Sequence, residues 1–257
     1  MRRETFAVTG PLRLELKLPA GELEIEAAET DEAVVELEPL GNGEEAVEDA
    51  RVELRGDELR VEVRERRSSS ALVRVRVTAP AGSALSAATA SADLSAHGPL
   101  GDAELKTASG DVELERVAGL RVKAASGDVE VRHVEGDARI QTASGDLDLA
   151  EVAGAIEIAS ASGDVHVGRA GAAVEVRTAS GDQHVDDVSE GRAELTSASG
   201  DVRVGIRRGS GVWIDARSAT GDVTSELEVG DEPGERGGPV VELRVTTMSG
   251  DVEIVRA

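Results

Sequence analysis

There is no cysteine among the 257 residues, no tyrosine, one phenylalanine (Phe6) and one tryptophan (Trp213). The missing thiols exclude disulfides, thiolate metal sites and cysteine nucleophiles, and they leave the redox compartment unmarked. The missing rings bear on the fold. A compact globular core draws much of its volume from aromatic side chains. Here the apolar 40% is made almost wholly of Val, Leu, Ile and Ala, which implies a narrow aliphatic interior. Proline is scarce, at 7 residues against 29 glycines, so turns are many and stiff linkers few. Positive charge is also in short supply: 28 Lys and Arg face 51 Asp and Glu, for a net charge of −23. That balance excludes a nucleic-acid surface, where each phosphate contact needs a cation. It excludes unassisted binding to an anionic membrane as well. It favours solubility through self-repulsion, and it suits a high-salt environment. No run approaches 18 apolar residues, so no direct membrane insertion is expected. Arg2-Arg3 is not followed by the apolar stretch of a signal peptide. The expected location is the cytoplasm, with recruitment to the envelope open to a partner.

What the chain has is a repeat, and the repeat decides the fold. Ser-Gly-Asp or Thr-Gly-Asp begins at Ser109, Ser126, Ser144, Ser162, Ser180, Ser199, Thr220 and Ser249. The successive spacings are 17, 18, 18, 18, 19, 21 and 29 residues, and a degenerate Ser91-Ala92-Asp93 lies 18 before the first. With the Ser or Thr as zero, position −4 is apolar throughout: Leu105, Val122, Ile140, Ile158, Val176, Leu195, Ala216 and Val245. Position +3 carries Val112, Val129, Leu147, Val165, Gln183, Val202, Val223 and Val252, and +5 carries Leu114, Val131, Leu149, Val167, Val185, Val204, Ser225 and Ile254. Polar residues fall between, which is the period-2 alternation of half-buried strands on both sides of a turn. The Gly of each unit suits a reversal that needs positive φ. A second corner follows Val117, Val134, Val152 and Val188, closed in the first three units by Gly119, Gly136 and Gly154.

Eighteen residues at roughly 3.3 Å each give a contour below about 60 Å, short enough for one closed coil that stacks on the next at about 4.8 Å. Like residues at like positions are what stacked ladders require; a meander of hairpins imposes no such rule. The fold class read from the sequence is therefore all-β, a β-solenoid of the parallel β-helix kind with coils of about 18 residues. No helix is expected, because no 3.6-residue period persists.

Residues 1–80 read as an irregular, degenerate β domain that caps the first coil, and 81–257 as the solenoid. Strands are expected at 33–37, 50–55, 58–65 and 72–78, with a polar connection from Gly41 to about 49 and an exposed loop at Arg66–Ser70. The stretch Ala20-Gly21-Glu22-Leu23-Glu24-Ile25 matches the repeat in register with Glu in place of Asp. A loop insertion at about 226–240 precedes the last coil. The strand from Asp251 onward then has no evident cap: either a loop folds over it, or it pairs with another chain in end-to-end self-association.

The Thr107-Ala108-Ser109-Gly110-Asp111-Val112-Glu113-Leu114 units, with the opening Phe6-Ala7-Val8, Gly10 and Leu14 to Ile25, resemble a bacterial and archaeal β-strand-repeat family of unknown function labelled as adhesins. The resemblance covers nearly the whole chain. It implies a β-solenoid-like fold and supplies no catalytic residues; the adhesin label rests on fold, which does not fix function.

Candidate sites follow from the stacking. Asp111, Asp128, Asp146, Asp164, Asp182, Asp201 and Asp222 should form a ladder along one corner. Carboxylates about 4.8 Å apart repel by about 1 kcal/mol per pair even in water. Backbone N–H groups would compensate that, and so would calcium ions between coils, although the G-G-x-G-x-D-x-U-x calcium repeat is absent. His166 and His184 share position +4 and should be surface neighbours, between Asp148 and Arg203; such a pair can ligate a metal. Arg55-Gly56-Asp57 reads as a hairpin turn. Nothing resembles a nucleophile elbow, a P-loop or a dinucleotide fingerprint. The function expected is a non-catalytic structural or binding scaffold presenting side-chain ladders to a protein, a glycan or itself. The alternatives are a cation-stabilised binding protein that uses the Asp ladder, and a carbohydrate-active β-helix enzyme, which would need one distinct acidic cluster.

Overall fold

A computed structural model describes residues 1–64, 71–227 and 240–257. The expected loops at Arg66–Ser70 and around 230–239 lie outside the described residues. The chain forms two compact units, Met1–Glu130 and Val131–Ala257, and both are built of parallel coils.

In the first unit the long strand Arg13–Ala28 lies in parallel register with Ala84–Leu100, Arg13 opposite Ala84 and Glu26 opposite His97. Its alternation puts Leu14, Leu16, Leu18, Leu23 and Ile25 inside, each 1% exposed. Ala84–Leu100 in turn pairs in parallel with Ala103–Thr107 and Val112–Val117, and Ala103–Thr107 pairs with Leu120–Ala124. On its other side Arg13–Ala28 pairs in parallel with Glu58–Glu62 and Leu72–Pro80. There the pattern turns antiparallel. Arg51–Arg55 folds onto Glu58–Glu62 through Gly56-Asp57, so Arg55-Gly56-Asp57 is part of a hairpin turn, with Gly56 at φ 65°. Arg2–Ala7, Glu32–Leu40 and Leu72–Pro80 form an antiparallel trio. Ser83, fully buried, joins two segments: its hydroxyl donates to the Pro80 carbonyl at 2.6 Å and accepts from the Leu12 N–H at 2.9 Å.

The polar connection contains a helix the sequence did not lead us to expect, Glu44–Asp49. It is too short to show a 3.6-residue period. It forms because Ala46 and Val47 bury against the sheet and because Glu44 and Glu45 sit at its positive end. The Arg2 guanidinium donates to the carbonyl of Ala50 at 2.6 Å just past its last turn.

The second unit is the regular solenoid. Leu147, Val165, Gln183 and Val202 lie in successive parallel register, as do Leu149, Val167, Val185 and Val204. All but Gln183 are apolar, and every one is at most 1% exposed. Gln183 breaks the aliphatic row; its amide donates to Thr178 Oγ1 at 2.8 Å and to the Thr196 carbonyl at 2.9 Å. The corner glycines have two reasons to be glycine. Gly181 has φ +116° and Gly200 φ +134°, and at both a Cβ would overlap the carbonyl oxygen of the glycine one coil below, Gly163 and Gly181. Stacking, as well as turn geometry, keeps these positions bare.

The order of coils in space departs from their order in the chain. Val240–Ser249 pairs on one side with Gly191–Ser199, Leu195 opposite Val245, and on the other with Gly211–Ser218, Ala216 opposite Val245. Val252–Arg256 likewise lies between Val202–Ile206 and Val223–Ser225. The expectation that the strand after Asp251 forms an open edge is therefore corrected: it is paired on both sides, and the outer coil is 211–225. The physical reason lies at the core positions. The coil 240–256 offers Val241, Leu243, Val245, Val252 and Ile254, all fully buried, whereas 211–225 offers Ala216 at −4 and Ser225 at +5. The more apolar coil takes the enclosed place.

Candidate functional site: an acidic groove and a histidine pair

The corner aspartates form the ladder foreseen from their spacing, and their partner is the backbone. In the first unit Asp93 Oδ1 accepts the Asp111 N–H at 3.1 Å, and Asp111 Oδ1 accepts that of Asp128 at 2.9 Å. In the second, Asp146, Asp164 and Asp182 accept the N–H groups of Asp164, Asp182 and Asp201, each at 2.8 Å. Asp201 then accepts from Asp251 at 2.8 Å, and Asp251 from Asp222 at 2.9 Å. Each carboxylate ties the next coil to its own, and hydrogen bonds to a charged acceptor are about twice as strong as neutral ones. Among the described residues no group of three or more His, Cys, Asp or Glu is arranged to hold a metal ion. Of the two ways to compensate the row Asp111, Asp128, Asp146, Asp164, Asp182, Asp201 and Asp222, backbone N–H groups or calcium, the backbone one is seen at Asp111, Asp146, Asp164, Asp182 and Asp201.

His166 and His184 stand opposite each other in register, with ring centroids 5.6 Å apart and planes at 74°. His166 Nδ1 is 3.2 Å from Asp148 Oδ1 and its Nε2 is 3.0 Å from Asp186 Oδ2; His184 Nε2 is 2.7 Å from Asp186 Oδ1. Asp186 therefore bridges both rings. The shared position foretold the pair, but not Asp186, which reaches His166 diagonally across the ladder. Burial pushes the His166 pKa down. The hydrogen bond to Asp186 and the charges of Asp148 and Asp186 outweigh burial, and the net shift is upward from 6.5. Arg203, opposite His184, instead pairs with Glu253 at 2.6 Å.

A groove of about 460 Å³ lies on the first unit, beside the corner. Register builds it from two rows. Glu22 stands opposite Asp93, and Asp93 is bonded in turn to Asp111 and Asp111 to Asp128. Two residues on, Glu24 stands opposite Ser95 and Ser95 opposite Glu113, with Glu130 completing the lining. Apart from Leu23, Leu94 and Val112, every lining residue is acidic except Ser95. Arg74 and Arg76 hold the far end, Arg74 at 2.6 Å from Glu22 and Arg76 at 2.5 Å from Glu24. Nothing in the sequence marks these acids out from those of the other coils. The rows were visible in the spacing, but the hollow between them depends on how the corner projects.

These features define a class: a parallel β-solenoid whose polar side chains are arranged in rows. The chain belongs to the Toastrack DUF4097 family, whose model matches residues 13–255. No curated protein matches it. Among solved structures it is similar to a "putative lipid binding protein" from Parabacteroides distasonis ATCC 8503, at 12% identity over 98% of this chain and 96% of that one, with a TM-score of 0.52. A "putative adhesin" from Bacteroides fragilis NCTC 9343 aligns at 11% identity over 98% and 96%, with a TM-score of 0.48. Another "putative adhesin", from Parabacteroides distasonis ATCC 8503, aligns at 15% over the same shares, with a TM-score of 0.47. At such identities the likeness concerns the fold. Among the described residues no helix is long and apolar enough to cross a membrane.

Proposed function

We propose that this protein is a non-catalytic binding scaffold, and that its receiving surface is the acidic groove of the first unit. The observation that carries the reading is the pair of carboxylate rows along that groove. Carboxylates stacked about 4.8 Å apart along each row make a strip of one charge sign, which suits a partner segment that brings Lys or Arg side chains. The partner is a basic stretch of protein. A glycan is disfavoured because the groove offers no aromatic face for a sugar ring. The binding named for the lipid-binding neighbour calls for an apolar cleft, whereas this one is lined with carboxylates. The evenness of the acidic rows also argues against a carbohydrate-active enzyme, which concentrates one acid and one base at a single bond.

The test is calorimetric titration with an oligoarginine peptide, against a neutral oligosaccharide as control. Binding of the peptide should weaken steeply with salt. The double substitution Glu113→Gln, Glu130→Gln should weaken it about tenfold, a loss of about 1.4 kcal/mol. Glu157→Gln with Glu175→Gln, two stacked acids of the second unit, should leave it unchanged. Equal loss from both pairs, or no binding at low salt, overturns the reading.

A further inference from the structure

The outer coil of the second unit is unfinished. Gly211–Ser218 is paired along one edge, to Val240–Ser249, and Val223–Ser225 along one edge, to Val252–Arg256; no described strand lies on their other side. Residues that are enclosed elsewhere in the stack are open here. Leu243 and Ala193 are fully buried, but Ile214 in the same row is 36% exposed. Val202 and Val252 are fully buried, but Val223 is 45% exposed. Trp213, on the outward face of the same strand, is 52% exposed.

Natural sheet edges are kept from pairing by proline, by like charges or by inward-pointing charge. The strand Gly211–Ser218 has none of these. Its only charges are Asp215 and Arg217, which cancel and form an ion pair at 3.0 Å. In a chain of net charge −23 this is a locally neutral strip. Its order is also self-complementary. If two such strands run antiparallel about a two-fold axis at Ala216, the residues opposite each other sum to the same number. Asp215 then faces the second copy's Arg217, Arg217 faces its Asp215, and the small Ala216 faces itself. Opposed residues share a face, so both charge pairs form outside while Ile214 turns toward the second copy's core rows.

We infer that the edge formed by Gly211–Ser218 is a docking surface for a second copy of this chain, joined by antiparallel strand pairing about a two-fold axis at Ala216. This is an isologous contact that closes on itself, so it yields dimers and not fibres. It covers the exposed Ile214 and Trp213 and satisfies a row of open backbone groups. The surface is separate from the acidic groove, and either can fail without the other.

The experiment is analytical ultracentrifugation of the full chain across a wide concentration range, with the emission of Trp213, the protein's one tryptophan, as a local probe. The expected result is a reversible dimer and a blue shift of emission as the mass doubles. Asp215→Arg alone and Arg217→Asp alone should each weaken association at least about tenfold, a loss of about 1.4 kcal/mol. Mixing the two variants should restore a one-to-one dimer, because each brings the charge the other lacks. Restoration on mixing cannot come from a change within one chain. Circular dichroism of each variant confirms that it is folded, and Glu113→Gln should leave the dimer unchanged. A monomer at every concentration overturns the inference, as does a dimer that neither shifts Trp213 emission nor responds to the charge swaps.

Discussion

Two coils of the second unit carry the same pattern and meet different fates. In the coil 191–206, Leu195, Val202 and Val204 are fully buried. In the coil 211–225 the corresponding positions hold Ala216, the 45% exposed Val223 and the exposed Ser225. Place in the motif thus assigns a side chain to a row, but burial comes only from a neighbour on each side. In a solenoid, stability is approximately a sum of coil and interface terms. An inner coil has two interfaces and the outer coil has one. The same substitution should therefore cost most where both interfaces exist.

The largest difference is expected at the glycines. Gly200→Ala forces φ +134° on a residue with a Cβ that overlaps the Gly181 carbonyl, and should cost about 3 kcal/mol. Gly209→Ala, at φ +91° with nothing within 4 Å, should cost about 1 kcal/mol. Urea denaturation of the two variants measures the gap; equal losses would mean that turn conformation alone, and not stacking, dictates glycine. Next come the aliphatic rows. Leu195→Ala should cost about 3 kcal/mol and Ile214→Ala less than about 1 kcal/mol, read at low protein concentration. A costly Ile214→Ala under those conditions would show that the outer coil is enclosed after all.

The aspartate ladder sharpens the same contrast. Asp201 Oδ1 holds the Asp251 N–H, so Asp201→Ala should cost about 1–2 kcal/mol. Asp222 holds no further rung among the described residues, and Asp222→Ala should fall within about 0.5 kcal/mol of the parent. Because the interior rungs face N–H groups, a chelator should leave the melting temperature of the parent unmoved; a drop on chelation would point to ions between the coils.

The smallest effect is electrostatic. Row +4 runs Asp148, His166, His184, Arg203, Glu253 and, on the outer coil, the neutral Thr224. The folded-state pKa of His166 is raised above 6.5. Its contribution to stability is therefore complete below about pH 6.5 and fades as pH rises through the folded value. Since its side chain is 43% exposed, solvent screens most of the gain. Asp186→Asn should bring the His166 titration, followed by NMR, down toward the ordinary range and flatten that pH dependence. An unmoved titration would mean that Asp148 alone sustains the shift.

Much of this was legible in the sequence, for a definite reason. Alternation at −4, +3 and +5 assigns inside and outside residue by residue, and the Ser-Gly-Asp corner sets the length of a coil, so the stacked Asp146, Asp164, Asp182 and Asp201 followed. The coil order did not follow, since parallel register is nearly as good for any two units with like rows. The clue was weak but present: Ala216 and Ser225 are the least apolar occupants of their rows. The helix Glu44–Asp49 is shorter than two turns and left no periodic trace. Asp186 and the acidic groove depend on diagonal and corner geometry that spacing along the chain does not encode.

The inverted coil order has a consequence for how the chain is made. During synthesis residues 211–225 leave the ribosome before 240–257, yet their native neighbours Val240–Ser249 and Val252–Arg256 are made only afterwards. The native order of coils is therefore reached only once the last segment has been made. A chain interrupted at residue 239 would leave 211–225 without either of its native strand partners.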